Sequence, residues 1–274
     1  MKLRLTSLRR AESAFTMIEI ALCLAIIGFA LVAIIGVLPI GMNTQRDTRE
    51  ETVINQDATM LLEAIRNGAR GANDLTNYVY AITNTWTRFN ANGTVNGSGQ
   101  NGYTYNEVSL SAQPYPTTPY NAARLTNGAN IIGLLSTPEF ILNAPTNFPP
   151  AATLFNTVGY SNHVVAYIRS FSGLAAEKPP QDNPIMVGDT FSYRVLCYNA
   201  PVPFDTNIAF AGFNKQISGN EHEVRLTFLW PQRPNGSLGN GRQTFRATVA
   251  GQLAQDPTNR FLYFYQSQSY QPQP

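Results

Sequence analysis

Hydrophobic and polar positions divide the chain into a short polar beginning, a long apolar run and a mixed remainder. The run is uncharged from Ile20 through Met42, and one acidic residue, Glu19, lies just before it. A helix rises about 1.5 Å per residue, so roughly 20 apolar residues cross the hydrocarbon core of a bilayer. The pattern therefore predicts a transmembrane helix over residues 15–42.

The polar beginning, residues 1–14, is basic and predicts the orientation of this helix. It contains four basic residues and one acid, whereas residues 46–51 mix both signs. Basic flanks are retained on the cytoplasmic side of a membrane. We therefore expect a single-pass inner-membrane protein whose N-terminus is cytoplasmic and whose remaining chain is extracytoplasmic. A secretory signal peptide would be cut after its apolar stretch, and no close small-x-small site follows this one.

Gly36 and Pro39 lie near the end of the apolar run. Proline removes one helix hydrogen bond and its ring clashes with the preceding turn. The pair predicts a kink or a locally melted turn at this point of the helix.

Apolar residues after Asn43 recur at helical spacing, which predicts an amphipathic helical stem over residues 43–71. Gly68 and Gly71 supply the stop signal. The predicted apolar face consists of Ile54, Ala58, Leu61, Leu62 and Ile65. The predicted polar face consists of Arg49, Glu50, Gln56, Asp57 and Glu63.

From Tyr78 onward the period shifts toward two, which is typical of half-buried strands. The predicted strands are 78–89, 103–110, 163–171, 190–198, 223–230, 243–249 and 260–265. Residues 90–102 and 231–241 are interpreted as Gly/Asn-rich hairpin tips, and residues 131–142 as a short helix or turn. One leading helix followed by strands predicts an α+β fold, with the helix packed on a mainly antiparallel sheet in a domain of residues 72–265. Residues 266–274 are expected to form a flexible tail.

Composition and charge exclude some classes of function and structure. Charged residues make up 13% of the chain. Four basic residues and one acid precede Phe15, so the overall formal charge of +2 falls to −1 for the rest. A nucleic-acid interface needs clustered Lys and Arg on a basic domain, so none is expected. Cys23 lies in the predicted transmembrane helix and Cys197 in the predicted β-rich domain, so we expect no disulfide between them.

Three short patterns resemble binding or catalytic signals, but their contexts do not fit. Gly97 to Gly102 matches G-x-G-x-x-G by letter, although a strand-like tract follows where a dinucleotide site needs a helix. Neither His163 nor His222 belongs to a C-x-x-C or H-E-x-x-H pattern that would indicate metal ligands. Asp256 lies in a loop with oxygen donors, but it is the single carboxylate there, and a calcium site usually needs several. We expect no cofactor, no metal site and no enzymatic activity.

The N-terminal pattern resembles type IV pilins and type II secretion pseudopilins. A basic leader precedes the small residue Ala14, followed by Phe15-Thr16-Met17-Ile18-Glu19 and the apolar helix. The resemblance implies a pilin-like fold, cleavage between Ala14 and Phe15 by a prepilin peptidase, and N-methylation of Phe15 by the same enzyme. It also implies that Glu19 pairs with the N-terminal amine of a neighbouring pilin-like subunit during assembly. Gly usually precedes the cut in this family, and Ala14 departs from that rule.

A second resemblance is narrower. Residues 36–49, Tyr167 to Gly173, Trp230-Pro231 and Gly241 to Arg246 are similar to the Verru_Chthon cassette protein B family, whose members have prepilin-type N-termini. This resemblance implies a minor pilin-like component and not a bulk filament subunit.

Two alternatives remain open from the sequence. The chain could be a permanently anchored single-pass protein whose β-domain binds a ligand or polymer. It could also be an envelope hydrolase on a membrane tether, although the sequence offers no catalytic constellation. A pilin-like assembly could serve secretion, adhesion, motility or DNA uptake.

Overall fold

The structure is a computed structural model, and it describes residues 15–68, 70, 72–90, 92–105, 124–142, 157–172, 191–202, 220–233, 235–259 and 261–266. The leader with Ala14, the tail from residue 267 and most of the strand predicted over residues 103–110 lie outside the described residues. The described residues fall into two compact units, one that ends at Thr52 and one that begins at Val53.

One long helix, α1 (Met17–Arg66), contributes residues to both units. Its N-terminal part is apolar and long enough to cross a membrane, and its side chains there are exposed. The helix ends at Arg66, and Gly68 follows with a φ of 63°. That left-handed conformation favours glycine, so the predicted stop at Gly68 is confirmed.

The second unit is built on an antiparallel sheet, which confirms the α+β class. The strands are β1 (Val79–Asn90), β2 (Val95–Thr104), β3 (Phe140–Leu142), β4 (Thr157–Arg169), β5 (Ser192–Pro201), β6 (Glu221–Gln232), β7 (Leu238–Ala250), β8 (Gln252–Gln255) and β9 (Tyr263–Gln266). The large sheet has the order β2-β1-β4-β5-β6-β7. β3 pairs with Gly159 to Ser161 of β4, and β8 pairs with β9 in a small separate sheet. A 3₁₀ turn (Asn73–Asn77) and a short helix, α2 (Gly128–Leu135), complete the described elements.

The stem half of α1, from Val53 onward, packs on one face of this sheet. Ile54, Ala58, Leu61 and Ile65 are fully buried and belong to the main core, as predicted. The sheet side of this core includes Tyr193, Val195, Leu226 and Phe228. Burying large aliphatic side chains such as Ile54, Leu61 and Ile65 contributes roughly 1.5–3 kcal/mol each to folding, so this apolar contact stabilises the packing of the stem on the sheet.

The assignment of Asp57 to the polar face of the stem is wrong. Asp57 is 0% exposed. A residue advances about 100° around a helix, so Asp57 lies only about 60° from Ile54 and 100° from Ala58. Its angular position therefore places it on the buried stripe, and its polar side chain misled the sequence interpretation.

Interpreting residues 90–102 as one long turn was also wrong. Most of the tract forms the edge strand β2, in which Gly99 pairs with Trp86 and Gly97 with Arg88 of β1. A Cβ on Gly99 would lie 2.5 Å from the Trp86 ring. The glycine is needed because the neighbouring indole lies across the strand at this point.

The opposite edge of the sheet repeats this arrangement. β6 extends to Gln232 and β7 begins at Leu238, so the hairpin tip between them is shorter than predicted. Gly241 pairs with Trp230, and a Cβ there would collide with the indole ring. Both edge strands thus carry a glycine covered by a cross-strand tryptophan, an arrangement that compensates the weak strand propensity of glycine.

Replacing Gly241 with valine is expected to destabilise the protein by about 1–3 kcal/mol, because the added methyl groups overlap the Trp230 ring. Thermal unfolding of the full chain in detergent would measure the loss. Thr248→Val on the same strand is the matched control, because Thr248 is exposed and valine suits a strand. Equal stability of Gly241→Val and the control would show that the indole does not require the glycine.

Candidate assembly site

The sequence-predicted assembly residues lie at the start of α1. Phe15 is 80% exposed, and Glu19 is exposed in the first turn of the helix. Ala14, the residue before the predicted cut, lies outside the described residues. The Phe15 backbone nitrogen that cleavage would free is therefore four residues from the Glu19 carboxylate along the chain.

Glu19 forms a helix cap with Thr16. The Thr16 N–H and the Thr16 hydroxyl both donate to Oε2 of Glu19, at 2.8 and 2.9 Å. In return the Glu19 N–H lies 3.4 Å from the Thr16 hydroxyl oxygen. This is the capping box, in which Thr and a Glu three residues later satisfy backbone donors that the first helical turn leaves unpaired. The T-x-x-E pattern before an apolar run could have predicted it, but the sequence interpretation missed it.

The cap leaves part of the carboxylate available. Both capping bonds end on Oε2, and Oε1 has no hydrogen-bond partner within the described part of the chain. An ionised carboxylate has about four acceptor positions on its two oxygens. Glu19 can therefore cap its own helix and still accept a cationic donor from outside.

The apolar surface around this site is continuous. Large hydrophobic side chains from Phe15 to Met42 are at least 49% exposed, including Met17, Ile18, Leu22, Phe29 and Ile35. Soluble monomers rarely expose contiguous apolar patches larger than a few hundred Å². This segment needs either lipid or other apolar helices around it.

The helix continues through Gly36 and Pro39. A melted turn is therefore not present in the single chain, and the bend that Pro39 predicts stays a prediction. Just beyond it, the hydroxyls of Thr44, Thr48 and Thr52 donate to the carbonyl oxygens four residues earlier, at 2.8–3.0 Å. Hydrogen bonds from threonine hydroxyls to these carbonyls slightly destabilise a helix and often bend it. They therefore favour a bend of α1 in the same segment.

A second polar centre, which sequence analysis missed, holds the stem to the sheet. Oδ1 of the buried Asp57 accepts a 2.6 Å hydrogen bond from the Ser172 hydroxyl, and Oδ2 accepts one of 2.7 Å from Tyr193. Burial raises the pKa of Asp57, although hydrogen bonds from Ser172, Tyr193 and Ser170 act in the opposite direction. The partners come from strand β5 and from the segment after β4, and no local pattern predicts that these residues meet Asp57.

The other sequence candidates have structural explanations. Gly97 to Gly102 lie within β2, which continues to Thr104 where a dinucleotide site needs the start of a helix. His163 is exposed on β4, whereas His222 is buried edge-on against Tyr265, where burial lowers its pKa. Oδ1 of Asp256 accepts the backbone N–H groups of Thr258 and Asn259, which closes a turn.

Metal-binding and thiol groups give no further candidate within the described ranges. No group of three His, Cys, Asp or Glu side chains there is arranged to hold a metal ion. Cys23 and Cys197 are both free.

A cleft of about 360 Å³ lies beside the C-terminal end of the stem. Its apolar lining includes Leu75, Tyr78 and Phe171, and the Tyr78 and Phe171 rings meet edge to face at 5.9 Å. Glu63, Asn67, Arg70 and Asp74 add polar groups. The size falls within the range of small-molecule pockets, which are about 300–1,000 Å³.

Comparisons with known proteins do not extend this picture: no family model, curated protein or solved structure matches the chain.

Proposed function

We propose that this protein is a pilin-like subunit, made as a precursor and anchored in the inner membrane. A prepilin peptidase cuts it between Ala14 and Phe15 and methylates the new amine. The helix then assembles with those of other pilin-like subunits into a pilus- or pseudopilus-like structure. The protein itself is not an enzyme in this proposal; the covalent chemistry is done to it.

The observation that carries the proposal is one carboxylate, Glu19, at the start of α1, directly before an exposed segment that is uncharged through Met42. A charged group costs about 2.5–3.5 kcal/mol at mid-membrane on insertion scales and less near the interface. A permanent anchor gains nothing from such a residue beyond its cap, which a neutral residue could also form. A neighbouring subunit that brings a cationic amine would offset the cost.

The geometry of Glu19 supports this pairing. Thr16 occupies Oε2 and leaves Oε1 for an amine from a second chain. N-methylation keeps that amine cationic, so the pair survives the modification. Phe15 and Glu19 are four residues apart, about 6 Å along a helix, so pairing would stagger neighbouring subunits by roughly one turn plus side-chain reach.

The stem and sheet support the same proposal, because the helix that would assemble also enters the core of the β-rich unit through Ile54, Ala58, Leu61 and Ile65. The resemblance to the Verru_Chthon cassette protein B family favours a minor component of such a structure.

The cleft beside Tyr78 favours a second candidate function, a permanently anchored protein whose β-domain binds a small ligand. This alternative needs no cleavage after Ala14. Identifying the first residue of the mature protein in its native host therefore separates the two: Phe15 supports the pilin-like subunit, and a retained leader supports the permanent anchor.

A further inference from the structure

The face of the sheet that points away from the stem carries the charged side chains of strands β5 to β7. Side chains alternate between faces along a strand, so the neighbours of the buried residues Tyr193, Leu226 and Phe228 point outward. The outward set includes Arg194, Arg225, Arg242 and Arg246 together with Glu221 and Glu223.

Two of these arginines are supported by tyrosine rings. Arg194 pairs with Tyr167 across β5 and β4, and its guanidinium carbon lies 5.1 Å from the ring centroid. Arg225 pairs with Tyr198 across β6 and β5 at 4.7 Å. A guanidinium over an aromatic face is attracted by the ring quadrupole and held in a defined position.

The two arginines of the edge strand β7 are more open. Arg242 and Arg246 are exposed, and the Arg246 side chain is 66% exposed. They lie four residues apart on one face, about 13 Å along the strand. Arg242 shares a row with Leu229 and Arg194, and Arg246 pairs directly with Arg225.

The carboxylates do not balance this charge evenly. Glu223 takes two hydrogen bonds from Arg225, at 2.6 and 3.0 Å, and lies 3.9 Å from Arg246. Glu221 is two residues further from the hairpin between β6 and β7, and the Glu139 carboxylate interacts with Tyr198 and Arg225. Toward that hairpin, the described outward positions carry Arg194 and Arg242 with no acid, and Arg233 is exposed in the tip. We call Arg194, Arg233, Arg242 and Arg246 the basic patch.

Protection of an edge strand against aggregation explains some of these charges, because charged side chains discourage edge-to-edge pairing. It does not explain Arg194, which lies on an interior strand and whose Nη2 donates to the carbonyl oxygen of Gly236 in the hairpin tip. The guanidiniums of the basic patch thus lie on strands β5 and β7 and on the tip that follows β6.

We propose that the basic patch binds an acidic polysaccharide, a polymer bearing uronate carboxylates. Guanidinium groups pair with carboxylates through two parallel hydrogen bonds, which is the geometry that such a polymer offers. Between the two arginine rows lie Thr227 and Thr244, whose hydroxyls are 2.9 Å apart and can also bond sugar hydroxyls.

A single-stranded nucleic acid fits this surface less well. Such ligands bind by stacking bases on aromatic rings as well as by charge. On the described strands of this face, Tyr80, Tyr167 and Tyr198 each have a guanidinium over the ring, at 4.7–5.1 Å. The surface therefore presents positive charge and hydroxyls, whereas its aromatic faces are already covered.

The test is binding of the full chain, in nonionic detergent, to immobilised polygalacturonate at low ionic strength. The double variant Arg242→Gln/Arg246→Gln is expected to bind about tenfold more weakly or worse, because two charge-assisted contacts are lost. Arg46→Gln/Arg49→Gln is the matched control: it removes the same charge from α1 and should retain affinity within about twofold. The thermal unfolding midpoint of the β7 double variant should match that of the wild type.

Three results would overturn the proposal. Wild-type protein that does not bind polygalacturonate would exclude this ligand. An equal loss of affinity in the two double variants would show that only net charge matters. A single-stranded oligonucleotide bound as tightly as polygalacturonate would assign the patch to phosphodiester polymers instead. None of these results bears on cleavage after Ala14, so the proposed pilin-like function is tested separately.

Discussion

Replacing Glu19 with leucine is expected to leave the protein inserted, processed and stable in the membrane, but absent from assembled pilin-like structures. Leucine suits the hydrocarbon region better than a carboxylate, so insertion is not impaired. The partner amine of the neighbouring subunit then has no anion to pair with. Recovery in sheared surface fractions, and crosslinking to other pilin-like subunits, would measure a loss of at least about tenfold if the pair contributes 1.4 kcal/mol or more.

The capping box makes glutamine the informative control. Glu19→Gln keeps an oxygen acceptor for Thr16 and remains compatible with a capping box, but it removes the charge. If Glu19 acts through its charge, Glu19→Gln fails to assemble as Glu19→Leu does. Normal assembly of the glutamine variant would reduce Glu19 to a helix cap, and normal assembly of both variants would remove it from the mechanism altogether.

Asp57 is expected to make the stability of the stem-and-sheet unit fall as pH rises. Its carboxylate is fully buried and is held by the hydroxyls of Ser172 and Tyr193, which are neutral donors. Burial disfavours the ionised form and raises the pKa of Asp57 above its ordinary value of 3.8. The folded state therefore binds the Asp57 proton more tightly than the unfolded state does.

The sign of the pH dependence follows from that difference. Above pH 3.8 the unfolded chain releases this proton, whereas the folded chain keeps it until pH passes the raised pKa. Within that window the free energy of unfolding decreases as pH rises. Above the raised pKa both states are ionised, and the loss of stability from Asp57 is complete.

Asp57→Asn isolates this contribution. An asparagine oxygen can still accept from Tyr193, and its amide can donate to the Ser172 hydroxyl, so the hydrogen bonds are conserved without a titrating group. Denaturant unfolding of both proteins across the window from pH 3.8 upward should show the variant gaining stability relative to wild type as pH increases. A constant difference in the free energy of unfolding at every pH would mean that the pKa of Asp57 is not raised in the folded state.

Sequence periodicity predicted the elements with strong, regular patterns. The apolar run, the stem residues Ile54, Ala58, Leu61 and Ile65, and most long strands follow directly from burial on one face of a helix or a sheet. The helix stop at Gly68 was predictable because only a few residue types adopt the left-handed conformation.

The features that sequence analysis missed depend on partners distant in the chain. The glycines of β2 look like a turn in the sequence, but Trp86 and Arg88 on the neighbouring strand occupy the space that side chains on Gly99 and Gly97 would need. Asp57 looks like a solvent-facing charge until Ser172 and Tyr193 are brought to it by the sheet. The Thr16–Glu19 cap is the exception, because its signal is local and lies in the sequence itself.

The identity of the first residue of the mature protein tests the central claim most directly. The protein should be purified from membranes of its native host and its N-terminal peptide examined by mass spectrometry. The proposed function predicts N-methylated Phe15 as the first residue, and the same measurement in a host lacking its prepilin peptidase should recover the uncut leader. Membrane-bound protein from the unaltered host that still carries Met1 to Ala14 would contradict the claim that this chain is a processed pilin-like subunit.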